Sequence, residues 1–416
     1  MVFSTEKDGQ SSLTRSRIAL LSLAAGIVYF FTNPAPSHYY DYTFRVAGQL
    51  LRGSTGFTLP QPSWLNEFVP YGGYFYSVFP LGSVLTMIPA AVLKSLGIIN
   101  EMPSAFLSAL CAAGSASFMF LIANRYGVPG IRSILMTFGI LFGTFAWTNL
   151  TMGGAWQLAL GFAMLGGFGA IYFAIFDRRP FIAGAFFALA FGNRTELLLT
   201  APIFIYLLIR KNSESGSTSL NEVAQLIRAG WRQIFSFCVI PFILGVFTLA
   251  YNFVRFDSLS DFGYSRIPGV LQEPWYRHGI FSVWYIPGQI WEMLFKPWEY
   301  RPTFPYLRPN GFSSSILISS PFILFALRSG ARDATLKYLS WCALILLCTV
   351  LWMHGNSGGW QFGYRYAMVC LPWLFIILLE SSRERISRLE WSVYAFALFT
   401  NTYATWLFHW TGYMKQ

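Results

Sequence analysis

Apolar residues fall in long unbroken runs rather than in the alternation of half-buried strands, at about 18–33, 79–96, 103–123, 131–148, 155–176, 181–193, 196–209, 233–251, 312–328, 337–353, 367–380 and 390–409. Runs of this length cross, or nearly cross, a hydrocarbon layer ~30 Å thick. The pattern therefore predicts an all-α fold, a polytopic bundle of transmembrane helices. The loop after the first run carries most of the early polarity, and within it Phe44, Ala47, Leu50 and Leu51 recur at helical spacing behind Asp41 and stop at Gly53. That spacing predicts a short amphipathic helix lying in the membrane interface.

Polar positions decide the topology. With a cytoplasmic N-terminus and every run a full crossing, Arg178, Arg179, Arg210, Lys211, Arg228 and Arg232 would lie outside, against the positive-inside rule. If the 79–96 run, broken by Pro80, Gly82 and Pro89, only dips in and returns, every later loop changes side. The basic loops 124–132, 177–180, 210–232, 328–337 and 381–389 then become cytoplasmic, giving about eleven spans plus one re-entrant segment. The chain divides into a cytoplasmic tail (1–17), a seven-span module (18–251, including a first external loop at 34–102), an external loop (252–311) and a C-terminal membrane module (312–416). The Ser-rich 210–232 stretch reads as a cytoplasmic linker.

Composition sharpens this picture. At 55% hydrophobic and 11% charged the chain cannot carry an ordinary soluble surface. Its net charge of +11 is scattered between apolar runs, which fits membrane topology and anionic lipid rather than nucleic acid. All five cysteines lie inside apolar runs and read as small core hydrophobes. The run after the basic N-terminal tail lacks a small-residue cleavage site, which predicts a retained first helix rather than a removable signal.

Several bases remain on the side that topology disfavours, among them Arg194, Arg255 and Arg365, and a bound phosphate is the simplest reason for them. Asp41 stands at the head of the interfacial helix, where it is an N-cap, a functional acid, or both. Arg194 and Glu196 share a turn between two short runs, where they either serve a substrate or form a structural ion pair. Arg365 stands among Trp360, Tyr364 and Tyr366, as a ligand cation or as a snorkelling arginine in an aromatic belt. Glu67, Glu196, Trp360, Tyr364 and Tyr366 are further candidates for lining a substrate. The four histidines lack metal-ligand spacing, and no GxxxxGK[ST] or GxGxxG phosphate loop occurs.

One acid among several arginines suits one reaction in particular. When a sugar leaves from a lipid phosphate, the leaving group needs no general acid, only a base for the acceptor proton and cations to hold the phosphate. The stretches DYTFRVAGQLLRG, GGYFYSVFPLGSVLTMIPAAVL, AGAFFALAFGNRTELLLTAPIFIYLL, YNFVRFDSLSDFGY and GGWQFGYRYAMVCLPWL, in that order, resemble the polytopic GT-C glycosyltransferases, the superfamily of protein O-mannosyltransferases and of the aminoarabinose transferase of lipid A. The resemblance covers nearly the whole chain. It implies a conserved seven-helix module with a variable C-terminal module, a polyprenyl-phosphate sugar as donor, and Asp41 as the catalytic acid of the first loop. The 149–155 loop, NLTMGGA, departs from the family in having no Asp, Glu or His, which favours transfer without a metal.

The sequence-based expectation is an inverting membrane glycosyltransferase of the cell (inner) membrane. Asp41 is its base, Arg194, Arg255 and Arg365 hold the donor phosphate, and the acceptor is a glycan, lipid or protein on the external face. The alternative is a transporter or flippase of lipid-linked saccharides.

Overall fold

The computed structural model describes residues 12–210, 220–383 and 385–415. The described residues are mostly helical, and among them five helices are long and apolar enough to cross a membrane: α1 (Arg15–Thr32), α5 (Ser104–Arg125), α8 (Ala155–Ile171, continued by a π turn to Phe176), α11 (Leu220–Phe256) and α14 (Ala334–Met353). A sixth arises if α6 (Gly130–Phe142) and α7 (Ala146–Met152), bent by 51° at Gly143–Phe145, count as one span.

The remaining runs are shorter or broken. α9 (Pro180–Asn193) is followed by a 3₁₀ turn, Thr195–Thr200, that leads into α10 (Ala201–Ile209). Likewise the turn Arg365–Cys370 leads into α15 (Leu371–Glu380). The 312–328 run is not one continuous helix: α13 (Ile316–Ser319) stops at Ser320 before Pro321, whose ring cannot continue an α-helix, and a 3₁₀ turn takes over. The linker expected at 210–232 is also shorter than predicted. Residues 211–219 lie outside the described residues, but α11 already begins at Leu220 because NEVAQLIRA is rich in helix formers. α16 (Arg388–Trp410) closes the fold, its first turn held by a capping box between Ser387 and Glu390.

The loops gather at two ends. At one end, Asn124 exchanges hydrogen bonds with the backbone of Leu13 (2.7 and 3.2 Å), Tyr126 donates to Glu380 (2.6 Å), Arg132 and Arg328 converge on Glu390 (3.0 and 2.9 Å), and Arg210 reaches Asp333 (3.2 Å). At the other end, the amides of Ala105 and Ala155 donate to the carbonyls of Pro36 (3.2 Å) and Tyr40 (2.9 Å), and the Trp410 indole donates to the carbonyl of Thr32 (3.3 Å). The basic loops 124–132, 177–180 and 328–337 and residue 210 therefore share the end at which α1 begins.

This sorting explains the 79–96 run. It forms two short helices, α3 (Leu81–Leu85) and α4 (Ile88–Ser95), which at 1.5 Å per residue reach only ~8 and ~12 Å. α5 then starts beside Pro36, at the end where α1 finished. α3 lies so close to α9 that a Cβ on Gly82 would stand 2.4 Å from the Gly192 backbone. The Ser83 hydroxyl also bonds the Asn193 carbonyl (3.3 Å), so the dip fixes the end of α9 and with it Arg194.

The expected interfacial helix is α2 (Tyr42–Leu50), closed by Gly53 at φ +77°. A hairpin follows it, β1 (Phe68–Tyr71) paired antiparallel with β2 (Tyr74–Ser77) through Gly72 and Gly73, both at positive φ.

Candidate functional site

The densest group of charged and aromatic side chains away from the basic end forms where α8, the 3₁₀ turns after Arg194 and Arg365, and the first loop meet. The irregular segment before Arg365 is held by Asn149 of α7, whose side-chain amide donates to the Phe362 carbonyl (2.7 Å) and accepts from its N–H (3.2 Å). Asn149 is fully buried by this clamp and Asn193 nearly so. Gln361, also buried, accepts from the Arg365 amide (2.8 Å).

Arg365 is only 6% exposed. Its guanidinium lies 5.8 Å from the Trp156 ring and 5.2 Å from the Tyr366 ring. Its Nε has no hydrogen-bond partner, and no carboxylate among the described residues forms an ion pair with it. Arg194 faces the same Tyr366 ring at 4.9 Å and is paired with Glu196 (2.8 Å). Two guanidinium groups thus share one aromatic ring, and only one is neutralised by a carboxylate.

Glu67, just before β1, points into the same group. Both of its oxygens accept from the Trp156 indole N–H (3.0 and 2.8 Å). Burial raises its proton affinity to about pH 7, against the opposing pull of the Trp156 bond and the Arg365 charge. Trp156 itself is packed by Tyr40 (5.0 Å), Tyr42 (5.2 Å) and Phe79 (6.3 Å). On the far side of Tyr366 stands His354 (5.9 Å), close to Tyr264 and Tyr276. Burial, followed by the two arginine charges, lowers the proton affinity of His354 even though its Nδ1 bonds the Asn356 carbonyl.

Asp41 occupies the N-cap position of α2, yet its side chain makes no capping hydrogen bond. It pairs instead with Arg45 one turn on (2.6 Å), and 13% of the side chain is exposed. Tyr42 lies between the two acids: burial first, then Glu67 and, more weakly, Asp41, hold its phenol well above the ordinary range.

No protein-family model matches this chain, and no curated protein or solved structure does either. The assignment therefore rests on the site's own geometry.

That geometry brings together Glu67, Arg194, Glu196, Arg365 and Tyr366. Three other candidates stand apart as struts. Arg255 is 1% exposed, and its guanidinium is taken by the Ser77 carbonyl, by Asn252 (2.7 Å) and by the Tyr251 carbonyl (3.3 Å), so that it pins the hairpin to α11. Tyr364 is buried and donates to Gln289 (2.8 Å) of α12 (Ile286–Ile290). Trp360 packs on Phe408 (5.3 Å). Sequence reasoning missed Trp156, whose pairing with Glu67 spans 89 positions, and the tyrosine and histidine group behind Tyr366. Among the described residues, no three His, Cys, Asp or Glu side chains converge as a metal site would require.

Chemically, the arrangement offers a buried cationic pair beside an acid with spare lone pairs. A guanidinium buried without a counter-ion is costly, and an oxyanion supplied from outside would relieve that cost. Planar guanidinium forks suit phosphate oxygens.

Proposed function

We propose that this protein is an integral-membrane glycosyltransferase that moves a sugar from a polyprenyl phosphate to a hydroxyl acceptor on the external face of the cell membrane. The observation that carries this reading is Arg365, buried and lacking an ion-pair partner beside Arg194. Phosphate held by these two arginines leaves with the bonding electrons of the sugar C1–O bond. The acceptor oxygen attacks C1 from the opposite face, which inverts the centre, and a carboxylate of the first loop, Asp41 or Glu67, takes the proton. Tyr366 and Trp156 keep the guanidinium groups oriented.

Eleven crossings with a cytoplasmic N-terminus belong to the same proposal. The sorting of the basic loops to the end where α1 begins supports it, because positive loops face the cytoplasm. Fold-level resemblance to the GT-C enzymes agrees with this reading but does not carry it.

The test is direct. In cells lacking the protein, a lipid-linked sugar should accumulate, and purified protein should bind that lipid in an Arg365-dependent way. Binding that survives Arg365→Ala unchanged would refute the phosphate assignment. A protein that moves the lipid across vesicles without releasing sugar would be a flippase.

A further inference from the structure

We infer that Glu67, rather than Asp41, is the base that takes the acceptor's proton; this role rests on the glycosyltransferase reading and names a catalytic residue within it. The two acids differ in what already occupies them. An ionised carboxylate offers about four lone-pair positions. In Asp41 one oxygen is engaged at 2.6 Å by a full positive charge, Arg45 of the same helix. In Glu67 both oxygens share a single neutral N–H, that of Trp156, so lone pairs remain for a hydroxyl. Glu67 is half-buried as a residue, and its carboxyl feels the charge of Arg365, the cation assigned to the leaving phosphate. Asp41 interacts with Arg45 instead.

The surroundings of Glu67 suit a base that works near neutrality. The groups facing it are Trp156, the phenol of Tyr40 just before α2 and that of Tyr42 in its first turn. Tyr264 from the 252–311 segment and Arg365 complete the set. Burial holds the three phenols above their ordinary range and therefore neutral, so among them Glu67 is the group that changes charge near pH 7, and bases are most effective there. The reaction balances: the acceptor O–H proton goes to the Glu67 carboxylate, the acceptor oxygen forms the new bond to C1, and the C1–O(phosphate) bond breaks with its electron pair staying on the lipid phosphate. Deprotonation of the carboxylic acid by water resets the site. Trp156 is a positioning residue, since its one N–H fixes the plane of the carboxylate.

The experiment uses the full-length protein in lipid nanodiscs. The donor is the radiolabelled lipid-linked sugar pool of cells lacking the protein, and the acceptor is their envelope fraction. Glu67→Gln keeps an oxygen for the Trp156 indole and should lower kcat at least ~10²-fold, with the donor KM unchanged and a larger loss than in Asp41→Asn. The wild-type rate should rise with pH through about 7, where Glu67 ionises, and that limb should vanish in the Gln variant. Glu67→Asp, which restores the carboxylate a methylene short, should recover part of kcat. A hydrophobic carbodiimide, which attacks protonated carboxyls, should modify Glu67 of the wild type at about pH 6 and much less at about pH 8, a readout that needs neither turnover nor a variant.

A Gln variant with wild-type kcat, a greater loss in Asp41→Asn, or carbodiimide labelling independent of pH would each overturn the role of Glu67 and leave the transferase reading intact. A wild-type protein that moves no label from donor to acceptor would overturn the transferase reading, and this role with it.

Discussion

Both ends of the bundle bury charge, but they finish the job differently. At the basic end Arg132 and Glu390 have side chains 3% and 2% exposed, and they close on each other, with Arg328 completing the triad. Glu380 takes the Tyr126 hydroxyl and two backbone amides, and Asp333 takes Arg210. At the other end Arg365 has aromatic rings where a carboxylate would be expected, and Glu67 has an indole where a cation would be expected. Paired buried charge fixes a structure, whereas unpaired buried charge persists only where something else makes use of it. On the proposed reading, that difference sets Arg365 and Glu67 apart from the closed pairs of the basic end.

The comparison breaks most easily at the basic end. Arg132→Ala strands Glu390 in the interior and should cost about 3–5 kcal/mol of stability, read as a loss of thermal stability in detergent. Transfer per folded molecule should be unchanged, and a specific catalytic defect there would erase the distinction between the ends. Arg365→Ala should do the reverse: a ~10²–10³-fold loss of transfer, the scale of removing one transition-state donor, with thermal stability kept or raised. If Arg365→Ala unfolds the protein as Arg132→Ala does, both ends are scaffold.

A smaller effect tests Glu67 through stability alone. Its proton affinity is raised from 4.5 to about 7 in the folded protein, so between those values the folded state holds more proton than the unfolded one. The contribution of Glu67 to stability is therefore fully present below about pH 4.5 and is lost as pH rises to about 7, by on the order of 1–3 kcal/mol. Glu67→Gln should flatten that part of the thermal-stability profile, and a parallel slope in the variant would show that Glu67 is not the group responsible. The smallest perturbation concerns which end faces out. A cysteine replacing Asn100, with the native cysteines removed, should react with an impermeant thiol reagent in intact cells. Reaction only after permeabilisation would put the site end inside.

The sequence disclosed the helices whose apolar runs are long, the amphipathic helix behind Asp41, and Arg194 and Arg365 as cations in need of an explanation. Local chemistry sufficed for these. The hairpin was legible too, had Tyr-Gly-Gly-Tyr between aromatic and β-branched residues been weighed as a two-residue turn. What the sequence hides is occupancy. Asp41 and Glu67 look alike as letters, and Arg255 looks like Arg365. Only the contacts show that Asp41 is engaged by Arg45 and Arg255 by the hairpin backbone, while Glu67 meets a tryptophan brought from α8 and Arg365, among the described residues, closes no ion pair and leaves its Nε unbonded.

A chain that threads a sheet of lipid records its side by odd and even: each full passage flips the bookkeeping and a segment that returns leaves it alone. On the proposed topology α3 and α4, five and eight residues long, act as a zero in that arithmetic. Lengthening α4 with a few leucines until it could traverse would turn the zero into a one, and everything downstream, from α5 to the last residue, would be assigned the opposite address. Arg365 and Glu67 would then be on different sides, and the site would cease to exist although every one of its residues remained.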